Sequence, residues 1–242
     1  MKPGALVLLL AAILTIGVGS ASAMAPFIGF LGEGQREFVE IPWYTDDDGL
    51  YRVDNWDYTT SEFSVRLHDV AMDPDPSIAY ALAVTDFGAP TTFTFLFGLP
   101  IVPTASPNLV HASVEGELID ATGDGVSLTP TGSHLQVSEV GSPSTNMGVD
   151  VGAAFSAEQG RPGALYSYGA YSAGPIAGPG PGPWTWLQTT VSFALSGGDD
   201  VASFTGFASI NEATAPVPEP TSLLLLSGGL IAAALVVRRR RG

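Results

Sequence analysis

From about residue 62 to residue 210 the sequence repeats one device: short runs with an apolar residue at every second position, separated by Gly, Pro, Asp and Ser. A period of two fits extended chain, whose side chains point alternately to opposite faces, and does not fit a helix, whose buried stripe recurs every third or fourth residue. Glu62 to Val70 alternates Phe63, Val65 and Leu67, and Ile78 to Val84 alternates Ile78, Tyr80, Leu82 and Val84 against alanines, which also admits burial on both faces. Thr91 to Phe97 sets Phe93, Phe95 and Phe97 on one face. Val110 to Leu118 sets Val110, Ala112, Val114 and Leu118 against His111, Ser113, Glu115 and Glu117. Shorter runs follow at Val126 to Thr129, Leu135 to Val140 and Val149 to Phe155. This spacing predicts an all-β chain, a single β-sandwich of roughly eight to ten strands of jelly-roll or immunoglobulin-like type.

Gly174-Pro175-Ile176-Ala177-Gly178-Pro179-Gly180-Pro181-Gly182-Pro183 interrupts the pattern. Proline donates no ladder hydrogen bond, so 174–183 is expected to be a loop inside one domain spanning 24–212. Trp184 to Leu195 and Val201 to Ile210 then read as two closing strands joined in a hairpin by Ser196-Gly197-Gly198-Asp199-Asp200. Trp184 and Trp186 have the parity opposite to Val191, Phe193 and Leu195, which requires either a bulge or a strand with apolar side chains on both faces.

Both ends of the sequence are apolar. Met1-Lys2, the run Ala5 to Val18 and the small-x-small triplet Ala21-Ser22-Ala23 predict a signal peptide over 1–23, cut by signal peptidase between Ala23 and Met24. Thr221 to Val237 has no formal charge and as a helix extends ~26 Å, close to the ~30 Å of a bilayer's hydrocarbon. Arg238, Arg239, Arg240 and Arg241 follow it, and such a cluster marks the cytoplasmic side, which leaves everything before Pro218 outside. Residues 213–217 link the domain to this tail at 218–242. Between Met24 and Pro220 there are four arginines, no lysine and 24 acidic residues, a formal excess of 20 negative charges. That surface repels phosphate backbones and excludes nucleic acid as a partner, and it meets anionic polysaccharide only through bridging cations. Cysteine is absent, so an exported domain of this sequence is held by its apolar core without disulfides, and thiol chemistry is excluded.

Val217-Pro218-Glu219-Pro220-Thr221-Ser222, then the apolar span and the arginines, resembles the PEP-CTERM sorting signal of Gram-negative bacteria. The resemblance covers about the last 25 residues. It implies recognition around Pro218, Glu219 and Pro220 by an exosortase, a membrane protease or transpeptidase that cleaves or exchanges the tail, often in organisms that make exopolysaccharide. The alternative is a plain single-pass anchor with Pro-Glu-Pro as a stalk. The turn Phe193-Ala194-Leu195-Ser196-Gly197-Gly198-Asp199 and the pattern Phe204-Thr205-Gly206-Phe207 also resemble the closing strands of proteins that carry this signal.

Little else in the sequence carries chemistry. His68, His111 and His134 stand alone, without metal-binding spacing, and the mature chain has no Gly-x-Ser-x-Gly, Walker or Gly-x-Gly-x-x-Gly sequence. Glu115 and Glu117 share a strand face, which in so acidic a chain is a solvated face. Asp46-Asp47-Asp48-Gly49, with Asp54 and Asp57 behind it, gathers hard oxygen ligands for Ca2+ or forms a solvated turn, and Asp73-Pro74-Asp75-Pro76 and Asp120 to Asp124 are smaller clusters. Trp43 and Trp56, beside Tyr44, Tyr51 and Tyr58, stack on sugars if exposed and pack the core if not. The expectation is therefore an exported, non-enzymatic protein of the cell surface or extracellular matrix, delivered through membrane and exosortase, with no cofactor. Its rivals are a calcium- or carbohydrate-binding module using Asp46, Asp47, Asp48, Trp43 and Trp56, and an exported hydrolase that brings a His to an acid and a Ser.

Overall fold

The computed structural model describes residues 25–213 other than 33, 34, 36, 103–106, 181 and 182. The signal peptide with Ala21, Ala23 and Met24, the motif Pro218-Glu219-Pro220, the apolar span and Arg238 to Arg241 lie outside the described residues. Among the described residues the regular structure is all strand, and no helix is long and apolar enough to cross a membrane.

The strands are β1 (Phe27–Gly32), β2 (Val39–Glu40), β3 (Tyr44–Thr45), β4 (Tyr51–Thr59), β5 (Phe63–Asp73), β6 (Ser77–Asp86), β7 (Thr91–Pro100), β8 (Asn108–Asp120), β9 (Val126–Pro130), β10 (Gln136–Val140), β11 (Thr145–Asn146), β12 (Phe155–Ala157), β13 (Ala164–Ala177), β14 (Trp186–Leu195) and β15 (Asp200–Glu212). They form two antiparallel sheets. Sheet A is eight-stranded and runs β11-β10-β14-β7-β1-β2, with β9 also beside β14 and β12 beside β9. Sheet B is seven-stranded and runs β13-β8-β15-β6-β5-β4-β3. Fifteen strands replace the expected eight to ten, because β2, β3, β11 and β12 are too short to show alternation and β1, β4 and β13 carry glycines or charges that disguise it.

The alternating runs face one another across the sandwich. Phe93, Phe95, Phe97, Val191 and Phe193 of sheet A and Val65, Leu67, Ile78, Val84, Val110 and Ala112 of sheet B are all fully buried. The β6 alanines are only half-buried, so that strand buries one face. Aromatic rings run through the core. Phe30 lies 5.1 Å from Phe95 and 5.7 Å from Phe63, and Phe193 joins Phe93 at 5.7 Å and Phe204 at 5.5 Å. Trp186 points to the outer face of sheet A while β14 keeps unbroken register with β7, so its opposite parity reflects a strand apolar on both sides and needs no bulge.

Two expectations are corrected by the pairing. Strands β14 and β15 are not a hairpin, since β14 pairs with β7, β9 and β10 in sheet A while β15 pairs with β6 and β8 in sheet B. Ser196 to Asp199 is an arch from one sheet to the other, turned by positive φ at Gly197, Gly198 and Asp199. A Cβ on Gly197 would come within 2.3 Å of the Gly88 carbonyl oxygen. The Pro/Gly-rich stretch 174–183 is also not loop throughout. Strand β13 continues to Ala177, with Ile176 opposite Val110, after a register shift at Ala173/Ile176 and a cis Gly174-Pro175 bond. Sheet edges tolerate proline, because only one side of an edge strand must supply ladder hydrogen bonds, and β13 is an edge.

Candidate functional site

Three places gather chemistry: the Asp46 turn, an acidic cluster at one end of the sandwich, and the opposite end, where the chain leaves the domain.

The Asp46 turn joins β3 to β4. Asp46 Oδ1 accepts the amides of Asp48 at 3.0 Å and Leu50 at 2.9 Å, and Arg52 Nε donates to Oδ2 at 2.9 Å. The Arg52 guanidinium and these amides hold the Asp46 carboxyl below the usual carboxylate range. Both Asp46 oxygens thus serve the turn itself, and Gly49 at φ 85° completes it. Asp47 and Asp48 flank this carboxylate in the same turn. Trp43 and Trp56 are partly buried against the core. Trp43 packs edge-on against Tyr51 at 5.1 Å, and Trp56 stacks on Tyr58 at 5.8 Å and touches Phe30 at 6.5 Å. Sheet pairing therefore brings the aromatics and the aspartates of this segment to one edge of sheet B.

The acidic cluster is built by strand ends. Asp120 closes β8, Asp200 opens β15, and both are fully buried, while Asp124 is exposed in the turn after β8. One carboxylate oxygen from each lies within 4.8 Å of the others. Asp120 accepts the amides of Gly123 at 2.6 Å and Gly125 at 3.0 Å, both glycines having positive φ. Asp200 accepts the Ala121 amide at 3.2 Å and the Ser196 hydroxyl, and the Thr122 hydroxyl donates to Asp124. Burial pushes the Asp200 carboxyl up; the hydrogen bonds from Ser196 and Ala121 oppose this, and the neighbouring Asp120 and Asp124 charges add to it. Asp86, buried beside Asp200 in the ladder, accepts the Thr91 amide at 2.8 Å. The grouping is of the type that hard divalent cations use, with several oxygens already committed to backbone amides. Asp120 and Asp124 are a visible pair in the sequence. Asp200 joins them only through pairing of Val201 with Ile119, which no local pattern signals.

The histidines are dispersed. His68 is exposed on β5, His111 lies beside Phe207 on β8 at 5.9 Å, and His134 sits before β10, where its Nδ1 shares a 3.0 Å hydrogen bond with Ser133 Oγ. Among the described residues the ion pairs are Arg52 with Asp46 and Asp69, and Arg66 with Asp57. Glu115 and Glu117 are exposed on the outer face of sheet B, along an open trough with Ser167, Ser203 and Thr205.

At the opposite end of the sandwich β15 finishes at Glu212, and the Ala213 amide donates to Pro107 O at 3.0 Å. Ile210 N donates to Pro76 O and Val102 N to Pro74 O, both at 3.0 Å, so the Asp73-Pro74-Asp75-Pro76 segment ties the ends of both sheets together there. The chain beyond this point runs five residues to Pro218.

No curated protein matches this chain. Beyond the last described strand, residues 216–241 match the model of the PEP-CTERM protein-sorting motif, so the chain carries the signal by which an exosortase sorts exported proteins.

Proposed function

We propose that this chain is a non-enzymatic protein of the cell surface or extracellular matrix: an acidic β-sandwich carried across the inner membrane, held by its tail, and then released or attached outside by the exosortase. The observation that carries the reading is the sorting motif at 216–241, set immediately after a closing strand that ends at Glu212. Supporting the non-enzymatic part, the histidines lie on separate elements, and the most buried carboxylates, Asp86, Asp120 and Asp200, accept hydrogen bonds from backbone amides. The excess of negative charge keeps such a body soluble and apart from other acidic polymers, so contact with matrix polysaccharide runs through neutral sugars or bridging cations.

Mass spectrometry of the protein recovered from the surface of exosortase-positive cells tests this. The expected carboxyl terminus lies near Pro218-Glu219-Pro220, with the arginines lost. Intact Arg238 to Gly242 on all surface molecules would reduce the tail to a plain anchor.

A further inference from the structure

We infer that, while the tail is still in the membrane, the tail-exit half of the outer face of sheet A lies against the bilayer surface. This rests on reading Thr221 to Val237 as membrane-inserted, and three observations carry it beyond that reading.

The first is reach. From Ala213 to Thr221 there are eight residue steps, which span at most about 28 Å even when fully extended. Strand β15, running from Asp200 to Glu212, is by contrast about 40 Å long. The end bearing Glu212 is thus kept near the lipid, and Asp86, Asp120, Asp124 and Asp200 are at the far end.

The second is charge. Strands β1, β7 and β14, which lie side by side in sheet A, contain no charged residue in a body with an excess of 20 negative charges. The outer face of sheet B exposes Asp57, Arg66, Glu115 and Glu117. Only sheet A can approach a leaflet without bringing a row of carboxylates to it, since its acidic residues Glu40 and Glu139 stand on β2 and β10 at the borders.

The third is the surface itself. At the tail-exit end Phe27 pairs with Gly98 and Trp186 with Pro100. The two rings occupy the space over glycines: a Cβ on Gly29 would sit 2.5 Å from the Phe27 ring, and one on Gly98 would sit 2.6 Å from the Trp186 ring. Phe38 adds an edge contact to Phe27 at 6.3 Å, and Val102, two residues beyond the end of β7, is 61 % exposed. Partly exposed Trp and Phe with an apolar body suit the region between headgroups and acyl chains.

The chain lacks cysteine, so single probes can be placed cleanly. The experiment uses the full chain in vesicles of phosphatidylethanolamine and phosphatidylglycerol containing brominated lipid. A bimane is attached in turn at Thr190→Cys on the outer face of sheet A, Val102→Cys at the exit end, Ser203→Cys on the outer face of sheet B, and Asp124→Cys at the far end. Vesicle flotation is measured in parallel. The expected result is several-fold stronger quenching at 190 and 102 than at 203 and 124, weakened at 190 by adding Trp186→Ser while flotation persists. Quenching at 203 or 124 equal to that at 190, or no quenching anywhere in a chain that floats, overturns the inference. Shielding at 190 that follows protein concentration instead of lipid assigns the face to a second copy and also overturns it. A chain that does not float removes the membrane reading of Thr221 to Val237 itself, and the orientation with it.

Discussion

Tyr80 shows how single side chains hold the two sheets together. Its hydroxyl donates across the core to Gln136 Oε1 at 2.6 Å, and Gln136 Nε2 donates back to Phe207 O at 3.0 Å. Its ring stacks on Phe97 at 4.9 Å, and burial pushes the phenol well above its usual value, so it stays a neutral donor. Tyr80→Phe removes the donor and strands a buried amide oxygen, with an expected loss of about 1–3 kcal/mol in urea unfolding. The added loss on combining it with Gln136→Leu should be smaller than the sum, because the two act as one unit. Asp120→Ala leaves the Gly123 and Gly125 amides without their acceptor, and about 2–4 kcal/mol is expected by the same measurement. Glu139 behaves oppositely. Burial raises its carboxyl, an effect opposed by Ser144 and reinforced by Asp150, so the ionised form costs the folded state at neutral pH and the cost fades as pH falls through the raised value. Glu139→Gln is therefore expected to raise the midpoint of thermal unfolding at pH 7 and to leave it unchanged near pH 4. Of these residues, Tyr80 was legible as a core position from its parity. Its partner was not, because Gln136 is fifty-six positions away and reads as an ordinary polar residue in a short strand.

At the scale of strands, alternation located β5, β6, β7 and β8 to within a few residues, because each buries one face continuously and its side chains report that face. It missed β1, where Gly29 takes an outward position and Gly32 a core-facing one, and β4, whose outward residues include Arg52, Asp54 and Asp57 in a segment that resembles a polar loop. It also misread the join between β14 and β15. Gly-Gly-Asp between two alternating runs signals a reversal, and the same local geometry serves a hairpin or an arch. Partner choice was settled by the neighbours on either edge, β7 and β10 for β14 and β6 and β8 for β15. Gly206 on β15 marks how close that packing is: a Cβ there would lie 2.1 Å from the Tyr80 ring. Gly206→Ala is expected to cost about 1–3 kcal/mol by overpacking, and Tyr80→Leu in the same chain should recover part of it, measured as paired urea midpoints.

For the molecule as a whole, the described residues form both sheets and the core between them. A chain stopped after Ala215 is therefore expected to unfold at the temperature of the full-length domain while failing to float with vesicles; a drop of many degrees would mean that the tail contributes to the fold. What the sequence determined alone was the solvent of each part: two oily ends, an acidic middle of period two, and a sorting motif, all set by local composition that needs no partner to be read. Tertiary structure decided which strands are neighbours, which sheet each belongs to, and hence that Asp200 meets Asp120 and Asp124 at one end while the charge-free face of β1, β7 and β14 meets the tail's exit at the other. Those are relations between residues distant in the chain. The strand period says which side of a strand is buried but not against what, and only the competition of all faces for one core selects the pairing.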